Sequence, residues 1–522
     1  MGLQQVSAKL ITAEQAIEKI NNGDTLVTGG FVGTGVAEHL MVALENRFNE
    51  QNEPKNLTLV YAAGQGDSQD RGGNHLAYEG LIKRVIGGHW GLVPKLQKLA
   101  FEEKIEAYNL PQGVIAHMLR DVAAKKPATI STVGLGTFVD PRVEGGKVNK
   151  KAQEDLVKVI EIDGNECLQF KQFKPTVAFI RGTTADTRGN ITFEKEALKI
   201  ESMAIAAATA NSGGIVICQV ENVVDVGELK PHSVVVPGVM VDYIVKAPIE
   251  NHQQTYGTEY NPAFVGEAGH EDVVLPPLSM SSKKIMGRRA AFELTKGDVV
   301  NLGIGAPEAV AMVAAEEGII HDFTLTAEPG VIGGVPAGGL DFGASTNPEA
   351  IIDQPYQFDF YDGGGLDIAF LGMAQLDKYG NVNVSKFSGR VAGAGGFINI
   401  SQNTKKVVFM GAMLSGKIEF TTCCGEMKLG ANVGGRKFVD HVEQITFCGK
   451  RAIENGQDIL YVTERCVFRL VEQGVELIEI APGVDLQEDI LQQMDFEPLI
   501  SPDLKQMDSR IFSVEKMGIN NS

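Results

Sequence analysis

Cysteine is scarce in this chain: six residues in 522, at Cys167, Cys218, Cys423, Cys424, Cys448 and Cys466. Only Cys423 and Cys424 adjoin and no CxxC occurs, so the spacing supports no zinc site, dithiol redox centre or disulfide framework, and reduced thiols are expected. The nine histidines form no HExxH or other metal-ligand pattern, so metal catalysis is not indicated. Positive charge is also short, with 47 Lys and Arg against 66 Asp and Glu, a net charge of −19. Phosphate affinity rests on clustered Lys and Arg, so nucleic acid is not an expected partner. An anionic ligand must then be held by local groups such as backbone N–H, not by the overall field. No apolar run is long enough to span a bilayer, which points away from a membrane partner. The start, Met1 to Gln15, has no apolar core behind a basic patch, and Val6 stands where N-myristoylation expects Ser or Thr. A cytoplasmic location is the resulting expectation. The dinucleotide fingerprint is missing too. The first glycine cluster reads GGxxGxG, with no acidic residue at the expected distance, and Gly303-x-Gly305-x-x-Glu308 ends in glutamate, so no nicotinamide cofactor is expected.

Against these absences stand an ordinary globular composition, 43% hydrophobic and 22% charged, and a length that favours two or more domains. The chain also repeats itself. Phe179-Ile-Arg-Gly-Thr-Thr-Ala-Asp186-Thr-Arg-Gly189-Asn190 echoes Phe370-Leu-Gly-Met-Ala-Gln-Leu-Asp377-Lys-Tyr-Gly380-Asn381 at a constant offset of 191 residues. Asp-x-x-Gly-Asn between apolar stretches predicts a strand, a tight turn and a second strand. Earlier in each half, Gly23-Asp24 through Gly29-Gly30-Phe-Val-Gly33 matches Gly297-Asp298 through Gly303-Ile-Gly305, each predicting a turn, a short buried strand and a glycine-rich loop. A helix follows in both, with Ala37, Leu40, Met41, Leu44 and Phe48 on one face in the first, and Val310, Val313 and Ala314 after Pro307 in the second. Such units predict an α/β fold with mainly parallel sheets in two similar domains. The Pro- and Ser-rich stretch Leu275 to Ser282 marks the join, giving domains over 1–280 and 285–522, with the Arg288–Glu293 stretch in the opening helix of the second.

Glycine, at 60 residues, gathers in clusters. Loops of this kind are either tight βα turns or backbone cradles whose N–H groups meet anions and carbonyl oxygens. One cluster stands out. In Phe323-Thr-Leu-Thr-Ala-Glu328-Pro-Gly-Val-Ile-Gly333-Gly334 a strand ends on a carboxylate and glycine-rich chain follows at once. Ligands of open α/β sheets sit beyond the carboxyl ends of strands, and Pro329 biases Glu328 towards extended backbone, so Glu328 is a candidate nucleophile; a surface glutamate at a strand end is the plain alternative. The comparable first-half segment Leu57 to Ala62 carries alanine at this position, as a duplication with one surviving site would.

At these residues the sequence resembles the class I coenzyme A transferases, most of all the single-chain bacterial acetate/propionate type. The resemblance runs over nearly the whole chain. It includes Tyr108-Asn-Leu-Pro-Gln112-Gly113, Gly134-Leu-Gly-Thr-Phe-Val-Asp-Pro-Arg142, Glu328-Pro-Gly-Val-Ile-Gly-Gly, Phe358-Asp-Phe-Tyr-Asp-Gly-Gly-Gly-Leu-Asp367, Gly395-Gly-Phe-Ile-Asn-Ile400, Thr463-Glu-Arg-Cys-Val-Phe468 and Glu479-Ile-Ala-Pro-Gly-Val-Asp-Leu486. Related mitochondrial enzymes that use succinyl-CoA have Glu-Asn-Gly where this chain has Glu328-Pro-Gly, which puts acyl preference in question. The resemblance implies that Glu328 becomes a thioester with CoA, that Gln112 contributes to the oxyanion hole, and that the Gly395-Gly396 loop donates the other N–H. It implies an active site between the two domains, the first on the acyl and carboxylate side and the second carrying the glutamate and the CoA side. It implies a homo-oligomer, dimer or tetramer, with acyl-CoA and small carboxylic acids as partners. No cofactor is implied, since coenzyme A is itself a substrate. Gly30, Gly33, Gly333 and Gly334 are candidate substrate or CoA contacts. Lys386 and Arg390, flanking the last glycine loop, are candidates for CoA phosphates or else a solvated pair.

The chemistry suits these parts. A carboxylate attacks acyl-CoA and expels CoA thiolate, leaving a mixed anhydride. The thiolate then attacks the glutamyl carbonyl, giving glutamyl-CoA and the free acid. Each step passes a tetrahedral oxyanion, hence amide and N–H donors, and anionic nucleophiles need no Ser–His–Asp triad. A hydrolase on the same scaffold, or a noncatalytic binding protein, would be the alternatives; the second has no need of Glu328.

Overall fold

The computed structural model describes residues 9–269, 275–387, 389–430 and 434–519. The chain forms two compact units: Met1–His270 with Ala327–Asp359 and Arg390–Asn399, and Glu271–Thr326 with Phe360–Gly389 and Ile400–Ser522. The units thus cut across the two halves of the sequence. Two stretches of the second half belong to the first unit, and each brings apolar side chains to it, Val391 from the second. Ala327, Val331 and Phe342 complete a buried cluster with Phe31, Val32, Ala63, Leu198 and Ile200.

The first unit is built on a wholly parallel path of eight strands. In chain order they are β1 (Lys9–Leu10), β2 (Thr25–Thr28), β3 (Leu57–Tyr61), β4 (Ile82–Gly87), β5 (Glu106–Asn109), β6 (Val177–Asp186), β7 (Ile215–Val224) and β8 (Tyr243–Lys246); in space they run β1-β8-β7-β6-β2-β3-β4-β5. Strands covered on both faces carry apolar runs rather than alternation, and Leu-Val-Tyr in β3 and Val-Ala-Phe-Ile in β6 are buried throughout. Helix α1 (Glu38–Gln51) buries Leu40, Met41, Leu44 and Phe48, the stripe expected from the 3.6-residue period, with Ala37 capping it. Helix α2 (Gln112–Ala123) starts directly after Pro111, and α3 (Ser202–Asn211) packs in the same unit.

The second unit carries helix α4 (Ser282–Ala291), which contains Arg288 and Arg289 of the expected opening helix. Its strands are β9 (Val299–Leu302), β10 (Thr324–Ala327), β11 (Ile368–Gly372), β12 (Lys406–Met410), β13 (Asp458–Val462), β14 (Cys466–Val471), β15 (Gly474–Ile480) and β16 (Leu499–Gln506), with α5 (Glu308–Glu317) between β9 and β10. The order is β10-β9-β11-β12-β13-β14-β15-β16, parallel from β10 to β13, antiparallel across β13, β14 and β15, and parallel again at β16. No helix of the described residues is long and apolar enough to cross a membrane.

The internal repeat holds at the level of single hydrogen bonds. Thr28 pairs with Phe179 across β2 and β6, and Leu302 with Phe370 across β9 and β11. Gly29 N–H donates to the Phe179 carbonyl and Gly303 N–H to that of Phe370. At the first turn Asp186 Oδ1 accepts from the N–H groups of Arg188 and Asn190, and Asp186 Oδ2 from Asn190 Nδ2. At the second, Asp377 takes the same bonds from Tyr379 and Asn381. Asn190 Oδ1 then accepts from Gly238 N–H, and Asn381 Oδ1 from Gly449 N–H, both closing loops of their own unit. A short aspartate that bonds backbone two and four residues on fixes this turn from its own side chain. Thr25 pairs with Thr58, and Val299 with Thr324, so the register sets Ala62 as the counterpart of Glu328.

Candidate active site

Glu328 follows the last residue of β10. Glu328 and Pro329 fill the centre of a tight turn closed by Gly330 N–H donating to Ala327 O at 3.1 Å. The Gly330 carbonyl in turn accepts from Ile352 N–H at 2.8 Å, and Gln354 N–H donates to Ile200 O at 2.9 Å. Ala327 and Val331, on either side of the glutamate, belong to the apolar cluster with Phe31, Val32 and Ala63. Glu328 is half-buried. Burial takes solvation from its carboxyl and pushes it up to about 7, only partly offset by its own backbone N–H. Near pH 7 the acid and carboxylate forms are therefore both populated, which corrects the expectation of a nucleophile already wholly anionic.

Gln112 opens α2, fully inside the protein, and its Nε2 donates to Gln354 Oε1 at 3.3 Å. Gln112 N–H donates to Gly395 O at 3.0 Å, which draws the Gly393–Gly396 loop onto the helix start. The rest of that loop is sewn to the ends of β4 and β5. Gly395 N–H donates to Gly88 O at 2.7 Å, and Trp90 and Gly91 both donate to Ala392 O, at 2.6 and 2.9 Å. Asn109, the last residue of β5, accepts from Ala394 N–H at 2.9 Å and donates to the carbonyls of Gly87 and Gly88 at 2.8 and 2.6 Å. Gly395 takes φ +54°, a left-handed conformation that a side chain disfavours. Its N–H is occupied by Gly88, whereas Gly396 N–H has no partner among the described residues, so of the two glycines it is Gly396 that has a donor to offer. Gln112, Gly395 and Gly396, together with the Glu328 turn, lie in the same unit although they come from both halves of the chain.

Of the other expected contacts, Gly30 and Gly33 border Phe31 and Val32, and a Cβ on either would strike Val36 or Tyr256 at 2.5 and 2.3 Å. Gly333 and Gly334 are crowded in the same way by Glu349 and by the Thr346 carbonyl. All four thus have a packing reason to be glycine. Lys386 lies half-buried on the short strand Lys386–Phe387 of the second unit, and Arg390 is exposed; neither side chain is ion-paired among the described residues. No group of three or more His, Cys, Asp or Glu that could hold a metal occurs among the described residues.

Three residues were not singled out by sequence: Asn109, Gln354 and His89. Asn109 and His89 follow the signal that found Glu328, since each stands at or just past the carboxyl end of a parallel strand, β5 and β4. Gln354 had no such signal, because only tertiary folding brings it to Gln112.

A half-buried carboxyl at a strand end thus stands in a unit that also holds a buried amide and a backbone N–H unpaired among the described residues, groups of the kind that acyl transfer uses. The chain belongs to the coenzyme A transferase family, whose profile matches residues 10–247. It is 49% identical to the caffeate CoA-transferase of Acetobacterium woodii over 98% of this chain and 99% of the relative. It is 44% identical to the acetate CoA-transferase YdiF of Escherichia coli K12, over 98% and 96% of the two chains. Its fold matches the acyl-CoA transferase YdiF of Escherichia coli O157:H7, solved as a thioester complex with CoA, with a TM-score of 0.92, 43% identity, and 100% and 99% of the two chains covered. The protein is a CoA-transferase, moving coenzyme A between acyl-CoA and a carboxylate.

Proposed function

We propose that this protein exchanges CoA between a short-chain acyl-CoA and a free carboxylate such as acetate or propionate by a ping-pong route through a glutamyl-CoA thioester on Glu328. The observation that carries the reading is the setting of Glu328, a desolvated carboxyl at the end of β10, in the unit that also holds the buried Gln112 amide and the unpaired Gly396 N–H. The thioester form in which the YdiF relative was solved supports a covalent intermediate.

In the first half-reaction the Glu328 carboxylate attacks the thioester carbonyl, the C–S bond breaks, and CoA thiolate leaves a mixed anhydride. Thiolate attack on the glutamyl carbonyl then breaks the anhydride C–O bond and releases the acid as its carboxylate. Gln112 Nε2, bonded to Gln354 Oε1 at a long 3.3 Å, and Gly396 N–H are the donors for the two oxyanions. Partial desolvation makes the ionised glutamate a stronger nucleophile while reducing the fraction ionised. On this reading Lys386 and Arg390 meet CoA phosphates, and the loops at Gly30, Gly33, Gly333 and Gly334 shape the acyl and CoA paths. The chain halves 1–280 and 285–522 serve the acyl and CoA sides, no cofactor is required, and the enzyme is a cytoplasmic homo-oligomer.

The test is to mix the enzyme with acyl-CoA alone and map the product. One tryptic peptide, that containing Glu328, should gain the mass of CoA less one water. A panel of acyl-CoA donors against acetate, propionate and caffeate then assigns the acid. A CoA adduct on another peptide, or none with any donor, overturns the proposal.

A further inference from the structure

His89 follows the end of β4 in Gly87-Gly88-His89-Trp90-Gly91, and the two residues after it are bonded to Ala392 on the oxyanion loop. Its ring occupies a cradle that only missing side chains leave open. A Cβ on Gly64 would lie 2.5 Å from Nδ1, one on Gly91 would lie 2.9 Å from Cε1 and 3.3 Å from Nε2, and one on Gly395 would lie 3.6 Å from Cδ2. The same point on Gly395 is 3.7 Å from Gln112 Oε1, so imidazole and amide flank one position of the loop. Nδ1 is sealed off with no hydrogen-bond partner, whereas Nε2 is also unpartnered among the described residues but not sealed, and the residue as a whole is half-exposed. An orphan N–H inside protein costs more than an orphan lone pair, so the proton belongs on Nε2. Burial lowers the imidazole to about 4, which keeps it neutral. A neutral donor beside Gly395 can bond a carboxylate without forming an ion pair with Glu328. Packing alone does not call for a polar ring here with one nitrogen left orphaned, because an apolar ring would fill the cradle at lower cost.

We propose that His89 Nε2–H donates to the acid substrate, bonding the carboxylate oxygen that does not attack. The inference rests on the glutamyl-CoA reading above. When the other oxygen of the acid bonds the glutamyl carbonyl carbon and CoA thiolate leaves, the oxygen held by His89 becomes the acyl carbonyl oxygen of the anhydride. It stays hydrogen-bonded throughout; His89 keeps its proton, and the atoms and charges balance without it. His89 is thus a carboxylate-recognising residue in both directions of exchange.

The experiment uses glutamyl-CoA enzyme, made by incubation with acyl-CoA and desalting, in single-turnover reactions with two nucleophiles. Acetate engages a carboxylate site; hydroxylamine cleaves the same thioester to the hydroxamate and CoA but presents no carboxylate. His89→Ala should slow the acetate reaction about ten- to a hundredfold, as for loss of one hydrogen bond to a charged group, and leave the hydroxylamine reaction within about twofold. His89→Gln, whose amide nitrogen reaches the Nε2 position, should recover most of the acetate rate. His89→Asn, which reaches only the depth of Nδ1, should not. If His89→Ala fails to fold, the Gln and Asn pair decides. Equal slowing with both nucleophiles, an unchanged acetate rate, or Gln no better than Asn overturns the assignment. Wild-type enzyme that accumulates no adduct on Glu328 instead overturns the glutamyl-CoA reading on which it stands.

Discussion

Lowering the pH from 8 to 6 should switch off the first half-reaction through Glu328 alone. Its carboxyl is pushed up to about 7 because it is desolvated. With that midpoint, about nine-tenths of the free enzyme is competent at pH 8 and about one-tenth at pH 6, a roughly tenfold fall in kcat/KM for acyl-CoA. The sign follows from the raised value: the reactive carboxylate is lost as pH falls through 7, whereas an ordinary glutamate would remain ionised down to about 4.3. The assay is stopped-flow or quenched formation of glutamyl-CoA over pH 5 to 9. It is repeated with an acyl-pantetheine thioester, which carries no phosphate and removes titration of the CoA phosphates from the profile. A profile flat between pH 6 and 8 with both donors would refute the desolvation argument.

Glu328→Ala should abolish transfer, and Glu328→Asp should be severely impaired because the carboxylate withdraws by about 1 Å; both are read by turnover and by mass of the CoA adduct. Gln112→Ala should lower turnover roughly ten- to a thousandfold with little change in melting temperature. Gly88→Ala places a Cβ 2.0 Å from the Ala62 carbonyl, a backbone atom that cannot step aside, so a loss of about 3 kcal/mol or more is expected in urea titration. Glu201, fully buried with both carboxyl oxygens unpartnered among the described residues, is raised to about 8 by burial. Folded protein therefore stays protonated there while the unfolded chain ionises, and stability should fall by about 1.4 kcal/mol per pH unit from about 4.5 towards 8. Glu201→Gln should remove most of that slope in unfolding curves at pH 5 and 7.

Local patterns in the sequence reached as far as local forces do. The Asp186 and Asp377 turns were legible because one side chain closes each of them, and the α1 stripe because its period is its own. Glu328 was legible because a strand, a carboxylate and a glycine run stand in one segment. The choice between Gly395 and Gly396 was not, since it depends on Gly88, just past the end of β4, capturing the first N–H. Nor was the partnership of Gln112 with Gln354, 242 residues away. The raised titration of Glu328 depends on burial in the folded chain, which no window of sequence contains. The extent of the compact units was hidden for the same reason, because they follow apolar contacts and not chain order.

That crossing of chain into the first unit has a consequence for how the protein is made. Synthesis delivers Phe31, Val32, Ala63, Leu198 and Ile200 long before Ala327, Val331 and Phe342 leave the ribosome. Until then the nascent first half must carry an open apolar face, and a chain halted near residue 280 should bind hydrophobic dyes and holding chaperones. The carboxylate arrives on the same segment that closes this face. Assembly of the Glu328 turn and closure of that cluster are therefore one late folding event, so on the glutamyl-CoA reading a chain able to form the thioester is one whose apolar face has already been covered.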